Sequence, residues 1–131
     1  MGFRLGSTFS NTTLNGAGFT TTETSVCTTP PLTLPADNAI VVITGQVTMT
    51  WGTGTTGFNL RVRQGTTSAG TIVLNTGPIQ ATAAQIVVVN VSVFDPAPGA
   101  AGGIQYSLLI AAVGSTANNV PTSATLVAFV L

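Results

Sequence analysis

The sequence predicts an all-β fold: a single antiparallel β-sandwich or jelly roll of about eight strands, with little or no helix. Three observations carry this reading. Thr is dominant, with 24 of 131 residues, and Thr and Val both favour a pleated, half-buried surface. Apolar and polar residues alternate over short stretches, as half-buried strands require. Fifteen Gly and seven Pro punctuate the chain at short intervals, and no window shows a 3.6-residue apolar period with a cap.

Taken in order, residues 1–18 are rich in Gly, Ser, Asn and Thr and read as an N-terminal arm or a loosely held edge, leaving 19–131 as the jelly-roll domain. Phe19–Cys27 alternates modestly until Pro30-Pro31 breaks it, and Leu32-Thr33-Leu34 leads to a turn at Pro35–Asn38. Ala39–Ile43 is nearly continuous in apolar residues, and Gln46–Trp51 then places Val47, Met49 and Trp51 on one face. The interposed Gly45 suggests a bulge or bend. Gly52–Gly57 reads as a loop, after which Phe58, Leu60 and Val62 oppose Asn59, Arg61 and Arg63. Gly65–Gly70 turns the chain into Thr71–Leu74, and a long Val-rich stretch, Ile79–Val93, ends at Asp95-Pro96. Ile104, Tyr106, Leu108 and Ile110 form one face of the next strand, and Ser123–Leu131 is the last.

The later strands carry a second message. Ile86–Val89, Leu108–Val113 and Leu126–Leu131 are apolar at successive positions, hence on both faces. A small antiparallel sandwich has one core, so apolar residues on both faces need a second covering surface. Another copy of the chain supplies it most simply. The positions expected in such a contact are Val87, Val89, Val91, Leu109, Val127, Phe129 and Leu131.

Charge narrows the function. The chain has three Lys+Arg, three Asp+Glu and no His, and only 5% of residues are charged, against roughly 25% in an ordinary domain. A 13.1 kDa chain folds to an accessible surface of about 6,400 Å², so the surface averages about one charge per 1,000 Å². Nucleic-acid binding takes about one cation for each neutralised phosphate, and Arg4, Arg61 and Arg63 are the whole supply. No apolar run approaches the roughly 20 residues of a membrane helix. The opening residues, Met1–Ser7, lack the apolar region of a signal peptide, so synthesis in a cytoplasm is expected. Cys27 stands alone and reads as a small buried hydrophobe.

Catalysis is not expected. Without His there is no triad base, and Glu23, Asp37 and Asp95 are the only carboxylates. Asp37 and Asp95 sit in turn contexts, where Asp bonds its own backbone. One Cys and three scattered carboxylates furnish no metal site, so no cofactor is expected either. Gly52-Thr53-Gly54-Thr55-Thr56-Gly57 spells a dinucleotide-binding pattern, but the alternating strand that follows offers no helix N-terminus for a pyrophosphate. Arg61 and Arg63 share a strand face and suit an anion, a subunit salt bridge or a solvated surface. Trp51 and Tyr106 suit either a sugar platform or packing anchors.

The entry Leu32-Thr33-Leu34-Pro35-Ala36-Asp37, the Val-rich middle strands, Tyr106-Ser107-Leu108 and the apolar Ala124–Leu131 together resemble the trimeric jelly-roll modules of phage structural proteins. Those modules are broadly similar to tumour-necrosis-factor-like and complement-type globular heads. Over residues 20–131 the resemblance implies a passive structural role, such as a capsid decoration or cement protein in a virion. It implies a homo-oligomer, most simply a trimer, attached to a major capsid or other virion protein through the arm. A carbohydrate- or surface-binding module and a polymerising extracellular filament are the alternatives.

Overall fold

The alternating segments fold as antiparallel strands in the structure, a computed structural model that describes residues 6–13, 21–50, 57–80, 85–113 and 120–131. Ten strands follow one another: β1 (Gly6–Thr13), β2 (Thr24–Thr28), β3 (Leu32–Leu34), β4 (Val41–Thr50), β5 (Gly57–Gln64), β6 (Ile72–Asn75), β7 (Ile86–Asp95), β8 (Gly102–Ile104), β9 (Tyr106–Val113) and β10 (Val120–Val130). No helix occurs among the described residues, and none is long and apolar enough to cross a membrane.

Two four-stranded sheets, β1-β10-β4-β7 and β2-β9-β5-β6, form the sandwich, while β3 and β8 pair separately. All pairings are antiparallel. Apart from the β5–β6 hairpin, the chain changes sheet between successive long strands. This interleaving of both chain ends with the middle is the jelly-roll arrangement. The fold class expected from alternation and turn spacing is therefore the one observed, with β3 and β8 as short additions to eight principal strands.

Register decides which residues enter the core. Val41, Ile43, Val47 and Met49 of β4 point inward with Leu126, Ala128 and Val130 of β10, against Phe58, Leu60 and Val62 of β5 and Tyr106, Leu108 and Ile110 of β9. Leu32 and Leu34 of β3 join the same cluster, as does Cys27, a free buried thiol. The total accessible surface is 6380 Å², the value expected for one domain of this mass.

Two expectations change. The stretch read as an arm contains β1, whose eight residues pair with β10 from Gly6↔Val130 to Thr13↔Ser123. The sandwich therefore begins before residue 19. Gly and Asn are poor strand formers and β1 holds too few apolar residues to show alternation, but an outer strand can be held by the backbone ladder of its neighbour. Gly45 makes neither bulge nor bend, since β4 keeps continuous register through it with both β10 and β7. It serves instead as a close approach. A Cβ there would lie 3.1 Å from Leu126 Cδ1 and 3.2 Å from Val91 Cγ2, so the missing side chain lets these two pack into the core.

Candidate interaction surface

The outer face of the β1-β10-β4-β7 sheet is built by the same register that fills the core. Because β4 turns its odd-numbered residues inward, its even-numbered ones face out, each opposite a residue of β7 and one of β10. Val42 stands between Phe94 and Phe129, Thr44 between Ser92 and Val127, and Gln46 between Asn90 and Thr125. Thr48 follows between Val88 and Ser123, and Thr50 lies opposite Ile86.

Large apolar side chains on this face reach solvent: Ile86 is 74% exposed, Phe94 64% and Val88 51%. Scattered apolar exposure is ordinary, but contiguous patches mark interaction sites. Between the apolar ends lies a shallow groove of about 450 Å³, lined by Thr44, Gln46, Asn90, Ser92, Thr125 and Val127, among others. Gln46 Nε2 donates to Asn90 Oδ1 at 2.9 Å across it. Every polar side chain named on this face is neutral.

The described charges are used elsewhere. On the outer face of the other sheet, Arg63 donates from Nε to Glu23 Oε1 at 2.5 Å and from Nη2 to Oε2 at 2.9 Å. Arg61 Nη1 donates to Oε2 of the same carboxylate at 2.8 Å. The Arg63 hydrogen bond, aided by Arg61, holds the Glu23 carboxyl below its usual range and raises the Arg63 guanidinium further. Arg63 also donates to Gly70 O at 2.7 Å. Both strand-mate arginines are thus drawn into an intrachain ion pair.

Asp95, at the end of β7, is buried. Its Oδ2 accepts hydrogen bonds from Tyr106 Oη and from Gln64 Nε2, each at 2.8 Å, and its Oδ1 accepts one from Ala97 N at 3.2 Å. The Ala97 contact is the local turn expected at Asp95-Pro96; the other two reach across the sandwich. Burial first, and then the Asp95 carboxylate, raise the Tyr106 hydroxyl far above its ordinary value. Asp37 departs from the expected pattern, because its Oδ1 accepts from Ala101 N at 2.8 Å, sixty-four residues away. That contact pins the turn at Pro35–Asn38 to the loop before β8, where Asn38 N also donates to Gly99 O at 2.7 Å.

The positions expected at a subunit contact divide. Val127, Phe129 and Leu131 lie on the outer side of β10 or at its end, and Leu131 is 54% exposed. Val87, Val89 and Val91 are turned toward the core, so the outward side of β7 consists of Ile86, Val88, Asn90, Ser92 and Phe94. Leu109 lies on the opposite sheet, 1% exposed, between Ser25 and Arg61 in register. Of the sugar-platform candidates, Tyr106 is fully buried and unavailable as a platform, while Trp51 and the glycine-rich run 52–56 lie outside the described residues. Among the described residues no three metal-ligating side chains cluster.

No protein-family model and no curated protein sequence matches the chain. The fold does have counterparts among solved structures. The Eiger TNF of S. frugiperda matches 96% of this chain and 93% of its own, with 8% identity and a TM-score of 0.53. A chain of the infectious bursal disease virus Gx strain matches 98% of this chain with 11% identity and a TM-score of 0.50. The VP2 subviral particle of the same virus matches 92%, with 8% identity and a TM-score of 0.51. This chain spans about a third of those virus chains, 32% and 29% respectively. Likeness at such identities reflects shared architecture: a jelly roll of the kind found in tumour-necrosis-factor-like and viral capsid proteins.

Proposed function

We propose that this chain is a non-enzymatic structural protein of a virus particle, a capsid decoration or cement module that assembles with copies of itself, most simply as a trimer. The observation that carries the reading is where the charges go. Glu23 pairs with both Arg61 and Arg63 within the chain, Asp95 is buried in a hydrogen-bond network, and Asp37 fastens two loops. This leaves the outer face of the β1-β10-β4-β7 sheet without charge among the described residues and with exposed apolar side chains, suited to packing against protein. Phosphate binding would instead need clustered, unpaired cations.

The jelly-roll architecture supports a place in a virion, because viral coats are a principal use of that fold. Fold alone does not dictate function, and the neutral, apolar face supplies the second argument. In this reading the protein is made in the host cytoplasm and adds to a major capsid or other virion protein. It uses no cofactor, nucleic acid or membrane. Purified particles from producing cells test this directly. Stoichiometric recovery of the chain with the particles is the expected result. Recovery only in the soluble fraction would contradict it.

A further inference from the structure

Phe94 is the most exposed aromatic side chain among the described residues, and it stands on the edge strand β7. Val88 and Ile86 expose a second apolar group at the other end of the strand, and the neutral groove around Gln46, Asn90 and Ser92 lies between the two. We propose that this outer face of the β1-β10-β4-β7 sheet is where a second copy of the chain docks. Phe94 and Val88 are then buried by the neighbour, and the Gln46–Asn90 pair sits within the contact. The proposal rests on the reading of the protein as self-assembling and specifies the surface used.

Three features favour a copy of this chain over another occupant. The first is charge. The described residues of the face carry none, so a partner bringing Lys or Glu against it would lose their hydration without gaining an opposite charge. A surface equally free of charge is the fitting complement, and this chain carries one.

The second is area. Four strands about 4.8 Å apart and ten residues long, at about 3.3 Å per residue, present roughly 600 Å² in projection. That approaches the roughly 800 Å² that each partner contributes to a standard stable interface. A face of this size accommodates another folded domain of similar dimensions.

The third is the mixture of groups. Neutral amides and hydroxyls on Gln46, Asn90 and Ser92 offer both donors and acceptors, so a neutral surface of another copy can pair with them on contact. Apolar anchors surrounded by neutral hydrogen-bonding groups, with charge depleted, match the make-up of an interface core.

The test is the native mass of the full-length protein by light scattering at micromolar concentration, for the wild type, Phe94→Asp, Gln46→Glu and Ile72→Asp. Ile72 is 47% exposed on the other sheet and serves as a control for surface charge. The expected result is an oligomer for the wild type and Ile72→Asp. Phe94→Asp and Gln46→Glu should need at least tenfold higher concentration to assemble, with the β-sheet circular dichroism spectrum retained. If Phe94→Asp does not fold, Gln46→Glu decides, since it nearly preserves shape at an exposed position. A wild-type oligomer with folded variants that assemble equally well would overturn this surface while leaving self-assembly intact. A monomeric wild type would overturn both.

Discussion

Tyr106 Oη donates a 2.8 Å hydrogen bond to Asp95 Oδ2, a contact that links the two sheets at one end of the sandwich. Tyr106 opens β9 in one sheet, and Asp95 closes β7 at the edge of the other. Gln64 of β5 donates to the same carboxylate oxygen. Asp95 therefore accepts from both sheet-crossing donors, which satisfies a charge that burial would otherwise penalise.

Alkali should expose this arrangement. The Tyr106 hydroxyl ionises less readily in the folded chain than its ordinary value of 10.0. Above about pH 10 the unfolded chain releases that proton and the folded chain retains it. Stability should thus be undiminished by this group below pH 10 and fall above it, by up to about 1.4 kcal/mol per pH unit. Tyr106→Phe should lose about 1–2 kcal/mol at neutral pH and show a shallower alkaline decline. Urea titrations between pH 7 and 11 measure both, and parallel pH profiles for the two proteins would contradict the account.

Acid should act on the Glu23 cluster with the opposite sign. Its folded pKa is depressed, chiefly by the Arg63 hydrogen bond. The associated stability is complete above the ordinary carboxylate range and lost as pH falls through the lower folded value. Glu23→Gln should cost about 1.5–3 kcal/mol at pH 7 and flatten the acid limb of the thermal midpoint between pH 5 and 2. An unchanged acid limb would show that the ion pair contributes little.

Gly45→Ala should destabilise the fold although alanine suits a strand better than glycine does. The added methyl meets Leu126 Cδ1 and Thr125 O at 3.1 Å, and such overpacking costs about 1–3 kcal/mol. A midpoint equal to or above the wild type would show that the core yields at this position.

Truncation tests the placement of β1. Removing residues 1–13 deletes a strand that pairs along eight residues of β10 and leaves β10 as a bare edge. The thermal midpoint should drop by more than about 10 °C. Little change would restore the reading of this segment as a detachable arm.

These outcomes reflect what alternation can and cannot encode. In β5 the contrast between Phe58, Leu60, Val62 and Asn59, Arg61, Arg63 specifies both strand and face, and the structure agrees. In β7 the run Ile86-Val87-Val88-Val89 has no such contrast, so its sequence announces a strand but not which side faces in. That choice is made by pairing with β4, where Val47 and Met49 alternate with Thr48 and set the parity for both strands. Charge alone allows Arg61 and Arg63 to pair with Glu23, Asp37 or Asp95, but does not reveal that Glu23 meets both within the chain, because it lies 38 and 40 residues away. The buried Asp95 network was legible only in its local turn, since Tyr106 and Gln64 arrive from the other sheet.

A protein that assembles passively through a neutral, apolar surface keeps its native mass as salt is varied. Light scattering at neutral pH, with sodium chloride raised from 50 mM to 1 M, should give one multiple of 13.1 kDa throughout. Screening has almost no charge to act on at such a contact, and sulfate should if anything tighten it. Dissociation as salt rises, or a mass of 13.1 kDa at every salt concentration, would contradict the account.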